Sequence, residues 1–298
     1  MSGLNISQAA GRKAAVPGGN IDMIYSPAAP ARHGPVICDN GPGADPAVRR
    51  LFKAHPALGM LSEQERVTLL RRSRIRFHKR HDIICRQGDP ASYIVLILEG
   101  FVKLSVPLSD GGEVFLEIAR PGESFNEMLA LQARPHASNA TALSACQVLL
   151  IDTRQFREAF EPRPDRLLAV LRLVDERLQR TTEQLMDSRG LTAPVRLAKA
   201  LLYLAALPPP HPGIGARLPF RLSQGELSFM AGMSREIVNK QLRAWRDAGW
   251  IEMSSGTVAW VDVKAFSAMV GGKSACLADS RCRHGTDRCV PGQRVAAA

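Results

Sequence analysis

The sequence predicts an α+β protein of two folded units joined by one long helix, on three observations. Short apolar runs broken by turn residues fill residues 46–162, a three-and-four apolar repeat runs through 163–188, and two capped short helices followed by a hairpin pattern occupy 189–269. The 298 residues suffice for two cores, at about 100–200 residues per domain.

Residues 1–45 are rich in Gly, Ala and Pro without a sustained period, and read as a flexible tail that cannot bury enough surface to order itself. In 46–162 the run Tyr93-Ile94-Val95-Leu96-Ile97-Leu98 reaches Glu99-Gly100. Then Val102, Leu104 and Val106 alternate with Lys103 and Ser105, a period of two that buries one face of a strand. Asp110-Gly111-Gly112 is a hairpin-type turn before Val114-Phe115-Leu116. Gln87-Gly88-Asp89-Pro90 and Arg120-Pro121-Gly122 punctuate the flanks, and Val148 to Ile151 forms the last strand. Closely spaced short strands of this kind predict a jelly-roll-like β-roll.

From about Asp165 to Met186 a helix is expected, with Leu167, Leu171, Val174, Leu178, Thr181 and Leu185 spaced as a heptad seam suited to self-pairing. Its Arg163, Arg166, Arg172, Arg177 and Arg180 are balanced by Asp165, Asp175, Glu176, Glu183 and Asp187. The remaining faces are therefore expected to be solvated rather than to hold phosphate.

In 189–269, Ser223-Gln224-Gly225-Glu226 fits a capping box, in which the serine accepts from a free backbone N–H and the glutamate reaches back. The helix it starts carries Leu227 and Met230 and stops at Gly232, which permits the left-handed backbone of a tight inter-helix turn. Ser234 caps a second helix. Ile237, Val238, Leu242 and Trp245 form its inward stripe, while Arg235, Glu236, Asn239, Lys240 and Arg243 lie on other faces. Residues 249–253 and 257–261, around Ser254-Ser255-Gly256, read as a β-hairpin wing. Residues 270–298 are an irregular basic tail.

Major-groove readout needs a short rigid helix whose N-terminal side chains donate to guanine or accept from cytosine, and Arg235, Glu236 and Lys240 supply both chemistries. A net charge of +11 and a pI near 9.8 favour a polyanionic partner. Residues 190–269 carry nine Lys/Arg against five Asp/Glu, a net of +4. No apolar stretch of roughly 18 residues and no signal-peptide core appears, so a cytoplasmic protein without a membrane partner is expected. Six scattered cysteines read as reduced thiols.

Ser234-Arg235-Glu236-Ile237-Val238-Asn239-Lys240 resembles the S-R-E-x-V-x-R recognition helix of the Crp/Fnr superfamily, with lysine in place of the last arginine. Gln87-Gly88-Asp89, Glu99-Gly100, Pro121-Gly122-Glu123 and Ala140-Thr141-Ala142-Leu143 are similar to that superfamily's β-roll. The resemblance spans roughly residues 48 to 268. It implies a cyclic nucleotide-binding-like β-roll that senses an effector, homodimerisation through the long helix, and a winged helix-turn-helix on pseudo-palindromic double-stranded DNA. RNA polymerase is the further partner if the protein activates. DNA contacts are assigned to Ser234, Arg235, Glu236, Asn239, Lys240 and Arg243, with Ser234 and Arg243 on phosphate.

Members that bind cyclic nucleotides carry a Gly-Glu pair for the ribose and an Arg-Ser or Arg-Thr pair for the phosphate. The corresponding positions here hold Asn126-Glu127 and His136-Ala137, so the pocket formed by Asn126, Glu127, His136 and Ala137 lacks the guanidinium fork and the hydroxyl. Ser124 to Met128 with Pro135 also resembles the haem-dependent gas sensors of the superfamily. Candidate axial ligands are His78, His81, Cys85, His136 and Cys146, none at a diagnostic spacing. A cluster of the Fnr type needs several cysteines near the N-terminus, where only Cys38 lies. Cys276, Cys282 and Cys289, with His284, offer a metal set at the other end, with gaps wider than the usual chelate. The effector is thus left open among haem, cyclic nucleotide and metal. A cupin-like metal enzyme using His78, His81 and Glu127 is the alternative in another class, but residues three apart on a strand point to opposite faces, so no enzyme is expected.

Overall fold

Eight short strands between Arg74 and Asp152 build two four-stranded sheets in a computed structural model that describes residues 45–207 and 215–271. One sheet orders β1 (Arg74–His78), β8 (Cys146–Asp152), β3 (Tyr93–Glu99) and β6 (Ser124–Phe125). The other orders β2 (Ile83–Cys85), β7 (Asn139–Ala142), β4 (Val102–Pro107) and β5 (Glu113–Ala119). Every pairing is antiparallel.

The unbroken apolar run of β3 has a physical reason: the strand is covered on both sides. Val95 and Ile97 face the other sheet, among Val102, Leu104, Phe125, Ala140 and Val148. Ile94, Leu96 and Leu98 face a helical layer. That layer comprises α1 (Pro46–Ala54), α2 (Glu63–Arg72), α4 (Thr153–Phe160) and the start of α5 (Pro164–Gly190), and contributes Phe52, Leu69, Phe156, Phe160 and Val170. Phe156 and Phe160 stack at 4.0 Å between centroids. The tight turns require glycine where φ is positive, at Gly111 (81°) and Gly122 (87°).

α5 departs from the expected heptad in two ways. Leu167 packs against the core of the roll and Val174 is half-buried. The exposed apolar stripe instead runs through Leu168, Leu171, Leu178, Leu185 and Met186. Nor is the rest of the helix simply solvated: Arg166 is only 4% exposed, and Arg177 and Arg180 reach into the roll. A balance of charges counts ions and says nothing of which ones meet acidic residues on another element.

Arg166 makes paired bonds to Glu65 at 2.9 and 2.8 Å and a third to the Ala159 carbonyl. Glu65 also closes the capping box of α2 by accepting from the Ser62 N–H. The Arg166 hydrogen bonds, and then the Ser62 backbone, hold the Glu65 carboxyl down at about 2. A carboxyl depressed in the folded state stabilises above its ordinary value, near 4.5, and that contribution is lost as pH falls from 4.5 towards 2. Urea denaturation across acidic pH is therefore expected to show stability falling in that window, with a shallower fall in Glu65→Gln; equal slopes for the two proteins would contradict the assignment.

Beyond α5, α6 (Ala193–Ala205), α7 (Gln224–Ala231) and α8 (Arg235–Asp247) pack with a three-stranded sheet ordered β10 (Ile251–Ser254), β11 (Thr257–Asp262), β9 (Gly215–Arg217), and α9 (Val263–Val270) closes the unit. Only the β10–β11 hairpin is visible as alternation in the sequence; β9 has three residues and little pattern to show. Trp245 meets Phe266 edge-on at 4.7 Å, and Trp250 does so at 5.8 Å.

Candidate nucleic-acid interface and effector pocket

The helix-turn-helix forms by the local chemistry its residues dictate. Ser223 accepts from the Glu226 N–H at 3.1 Å while Glu226 accepts from the Ser223 N–H at 2.7 Å, so two of the free donors of α7 are satisfied reciprocally. Gly232 ends α7 at φ 60°, and the Met233 N–H returns to the Ser228 carbonyl. Arg196 of α6 clasps this turn, donating to the Ala231 and Gly232 carbonyls at 3.0 and 3.1 Å. Ser234 then caps α8 by accepting from the Ile237 N–H.

α8 is anchored by Val238, Leu242 and Trp245, all buried. Ile237 differs from expectation: it is 46% exposed, because α8 rests on a stripe narrower than its apolar residues suggest. Arg235, Glu236, Lys240 and Arg243 are exposed and Asn239 is half-buried. The first turn of α8 therefore presents both donors and an acceptor on a rigid, capped support.

The two units share a core. Phe101, Ile118 and Leu143 of the roll join Leu197, Leu201, Leu204 and Phe220 in one apolar cluster, with Phe101 and Phe220 4.9 Å apart. Tyr203 donates to the Ile118 carbonyl. From the turn after β1, Arg80 donates to the Arg221 carbonyl and lies 3.6 Å from Glu226. The roll thus touches the N-terminal end of α7.

The side of the roll that faces α5 is organised by Glu127, the first residue of α3 (Glu127–Gln132), which is 2% exposed. His55 accepts at Nδ1 from the Ala57 and Leu58 N–H groups, which leaves the proton on Nε2 to donate to Ser124 Oγ at 2.7 Å. The Ser124 hydroxyl in turn donates to Glu127. Arg177 of α5 donates to the other Glu127 oxygen at 2.9 Å and to the Ser124 carbonyl, and pairs with Glu117 at 3.1 Å. Arg180 bridges Glu117 and Glu123.

Burial pushes the Glu127 carboxyl up, but the Arg177 charge and the donated hydrogen bonds outweigh it and leave the carboxyl below its ordinary value. Glu117 has only shared arginines against its burial, and sits above its ordinary value. Burial keeps His55 low and so neutral at pH 7. None of His55, Ser124, Arg177 and Glu117 stands out in the sequence, since their partners lie 3 to 69 residues away.

Asn126 sits at φ 77° before α3, its side chain donating to the Tyr93 carbonyl. His136 is 9% exposed and burial holds it low; its backbone binds Gly88 and Asp89, and its Nδ1 has no hydrogen-bond partner among the described residues. Ala137 is exposed. Cys85 is pushed up to about 12 by burial, which makes it a poor thiolate. Cys146 lies on β8 opposite His78 on β1, and His81 occupies a left-handed turn. Among the described residues no three His, Cys, Asp or Glu converge as a metal set. Cys38, Cys276, Cys282, Cys289 and His284 lie outside the described residues.

A β-roll, a long helix with an exposed apolar stripe and a capped helix-turn-helix with a wing together define a transcription regulator that carries a β-roll domain and its DNA-binding domain on the same chain. Residues 75–163 match the cyclic nucleotide-binding domain and residues 195–269 the Crp-like helix-turn-helix domain. The CRP-like cAMP-activated global transcriptional regulator of Mycobacterium tuberculosis is 31% identical over 182 residues, 61% of this chain and 81% of that protein. The cAMP-activated global regulator CRP of Pasteurella multocida is 28% identical over 174 residues, covering 57% and 82%. The chain belongs to the CRP family of transcription regulators. In fold it is similar to a CRP-family regulator of Thermus thermophilus (TM-score 0.56, 24% identity, 66% and 96% covered). It is equally similar to the c-di-GMP responsive regulator CLP of Xanthomonas campestris (TM-score 0.56, 23% identity, 66% and 96% covered). No described helix is long and apolar enough to cross a membrane.

Proposed function

We propose that the protein is a homodimeric regulator that inserts α8 into the major groove of a pseudo-palindromic site, with Arg235, Glu236 and Lys240 reading base edges, Asn239 beside them, and Ser234 and Arg243 on phosphates. The observation that carries this is the exposure of Arg235, Glu236 and Lys240 on a helix whose opposite face is locked by Val238, Leu242 and Trp245. Lysine at position 240 cannot form the planar two-bond contact of arginine, so one position of each half-site should be read less strictly.

The effector reading follows from the pocket. Two relatives are named as cAMP-activated, but His136 is held neutral where a phosphate needs a cation, Ala137 has no hydroxyl, and both oxygens of Glu127 already accept from Arg177 or Ser124. An effector gripped through its phosphate in the manner of cyclic AMP is therefore disfavoured. Regulation here works through binding, and no residue is assigned to turnover.

One titration tests both parts. Against a duplex selected from a randomised library, Arg235→Ala should relax discrimination at one base pair of each half-site by about 1–3 kcal/mol, leaving the salt dependence of binding nearly intact. Unchanged discrimination would remove Arg235 from the reading set, and a rise in affinity on adding cyclic AMP would overturn the effector reading.

A further inference from the structure

α7 carries a glycine in its first turn, Gly225, two residues after the Ser223 cap. Its φ is not positive, so no turn demands glycine there, and glycine is a poorer helix former than alanine. What fills the space is informative. The three atoms nearest the position a Cβ would occupy all belong to the guanidinium side of Arg235: Nη2 at 2.9 Å, Nε at 3.0 Å and Cζ at 3.1 Å. The side chain expected to extend towards bases is folded back onto the start of α7.

Charge does not hold it there. The Arg235 side chain forms no hydrogen bond or ion pair among the described residues, and the positive end of the α7 dipole opposes a cation. Glu226, the residue after Gly225, is occupied by the capping box and by Arg80. The flat guanidinium therefore rests on the bare α-carbon by packing alone, a mode that arginine tolerates because it is weakly hydrated.

We propose that Gly225 is a positioning residue for DNA recognition: its missing side chain lets Arg235 retract onto α7 in the free protein. The apparent affinity for the specific site is then reduced by the fraction of time Arg235 spends retracted. This rests on the assignment of Arg235 to base reading. A methyl group at position 225 displaces the end of a flexible side chain, not backbone, so only the Arg235 conformation needs to change.

The test is a four-member cycle in the full-length protein, using the duplex selected by the wild type and a scrambled duplex. Gly225→Ala is expected to melt no lower than wild type, to bind the selected duplex about 3–10-fold more tightly and to leave the scrambled duplex unchanged. In the Arg235→Ala background the same change should have no effect. If Gly225→Ala leaves specific binding unchanged or weaker, or if its gain survives the loss of Arg235, the proposal is overturned. If Arg235→Ala alone leaves discrimination intact, the base-reading assignment falls and takes the proposal with it. An NMR cross-peak between Gly225 Hα and Arg235 Hδ in the free wild type is expected independently, and its absence would count against retraction.

Discussion

Replacing Arg177 by methionine is expected to destabilise the roll by about 3–5 kcal/mol. The side chain is the shared counter-ion of Glu127 and Glu117, both nearly closed to solvent, and methionine leaves two buried carboxylates with less than the charge they need. Glu127 would then keep the Ser124 hydroxyl and a backbone N–H as donors but no cation, and burial would drive its carboxyl above the ordinary range. A carboxyl raised in the folded state penalises folding once pH exceeds its unfolded value, so the deficit of the variant should grow from pH 5 to pH 7 and shrink in acid. Adding Glu127→Leu should recover much of the loss, because the uncompensated charge is removed together with its partner. The readout should be far-UV circular dichroism in urea. All three tryptophans, Trp245, Trp250 and Trp260, lie in the DNA-binding unit and report poorly on the roll. A midpoint within experimental scatter of wild type would show that the network is not the tie between α5 and the pocket.

The parts of the fold readable from sequence are those whose information is local. The cap at Ser223, the glycine at 232 and the cap at Ser234 each act within a few residues, and each is realised where expected. The alternation expected of Val102, Leu104 and Val106 holds only for the first two, because a bulge between Leu104 and Ser105 buries Ser105 and leaves Val106 half-buried. The exposed seam of α5 keeps the expected Leu171, Leu178 and Leu185, but the exchange of Leu167 for Leu168 at its start is not readable. Leu167 and Leu168 are equally apolar, and which of them turns inward depends on where α2 and α4 present Leu69 and Phe156. The Glu127 network escaped for the same reason. Arg177 looks like any arginine on a charged helix until β5 and α3 bring Glu117 and Glu127 to it across 60 and 50 residues of chain. Substitution at 126, 136 and 137 was visible in the sequence; that Glu127 is also consumed internally is a fact of packing.

That same packing leaves one face of α5 without a partner among the described residues, and Leu178→Asp is expected to abolish dimerisation and weaken binding to a two-half-site duplex by about 100- to 10,000-fold. Leu178 is 62% exposed, and Leu168, Leu171, Leu185 and Met186 on the same helix are 52–67% exposed. Five large apolar side chains along 27 residues of helix form a stripe that water disfavours by about 1.5–3 kcal/mol for each one left uncovered. In the homodimer proposed above, a second copy of the same stripe, related by a two-fold axis, would cover it and set two α8 helices on successive turns of one DNA face. An aspartate at the middle of the stripe would meet its own copy across that axis and carry two charges into an apolar seam, while changing nothing packed within the protomer. Sedimentation equilibrium should therefore report a folded monomer with a helix content close to wild type, and the monomer should bind a single half-site as well as wild type does. A dimer that persists in Leu178→Asp, or undiminished binding to the paired site, would mean that the subunits meet elsewhere and that the exposed leucines of α5 serve another contact.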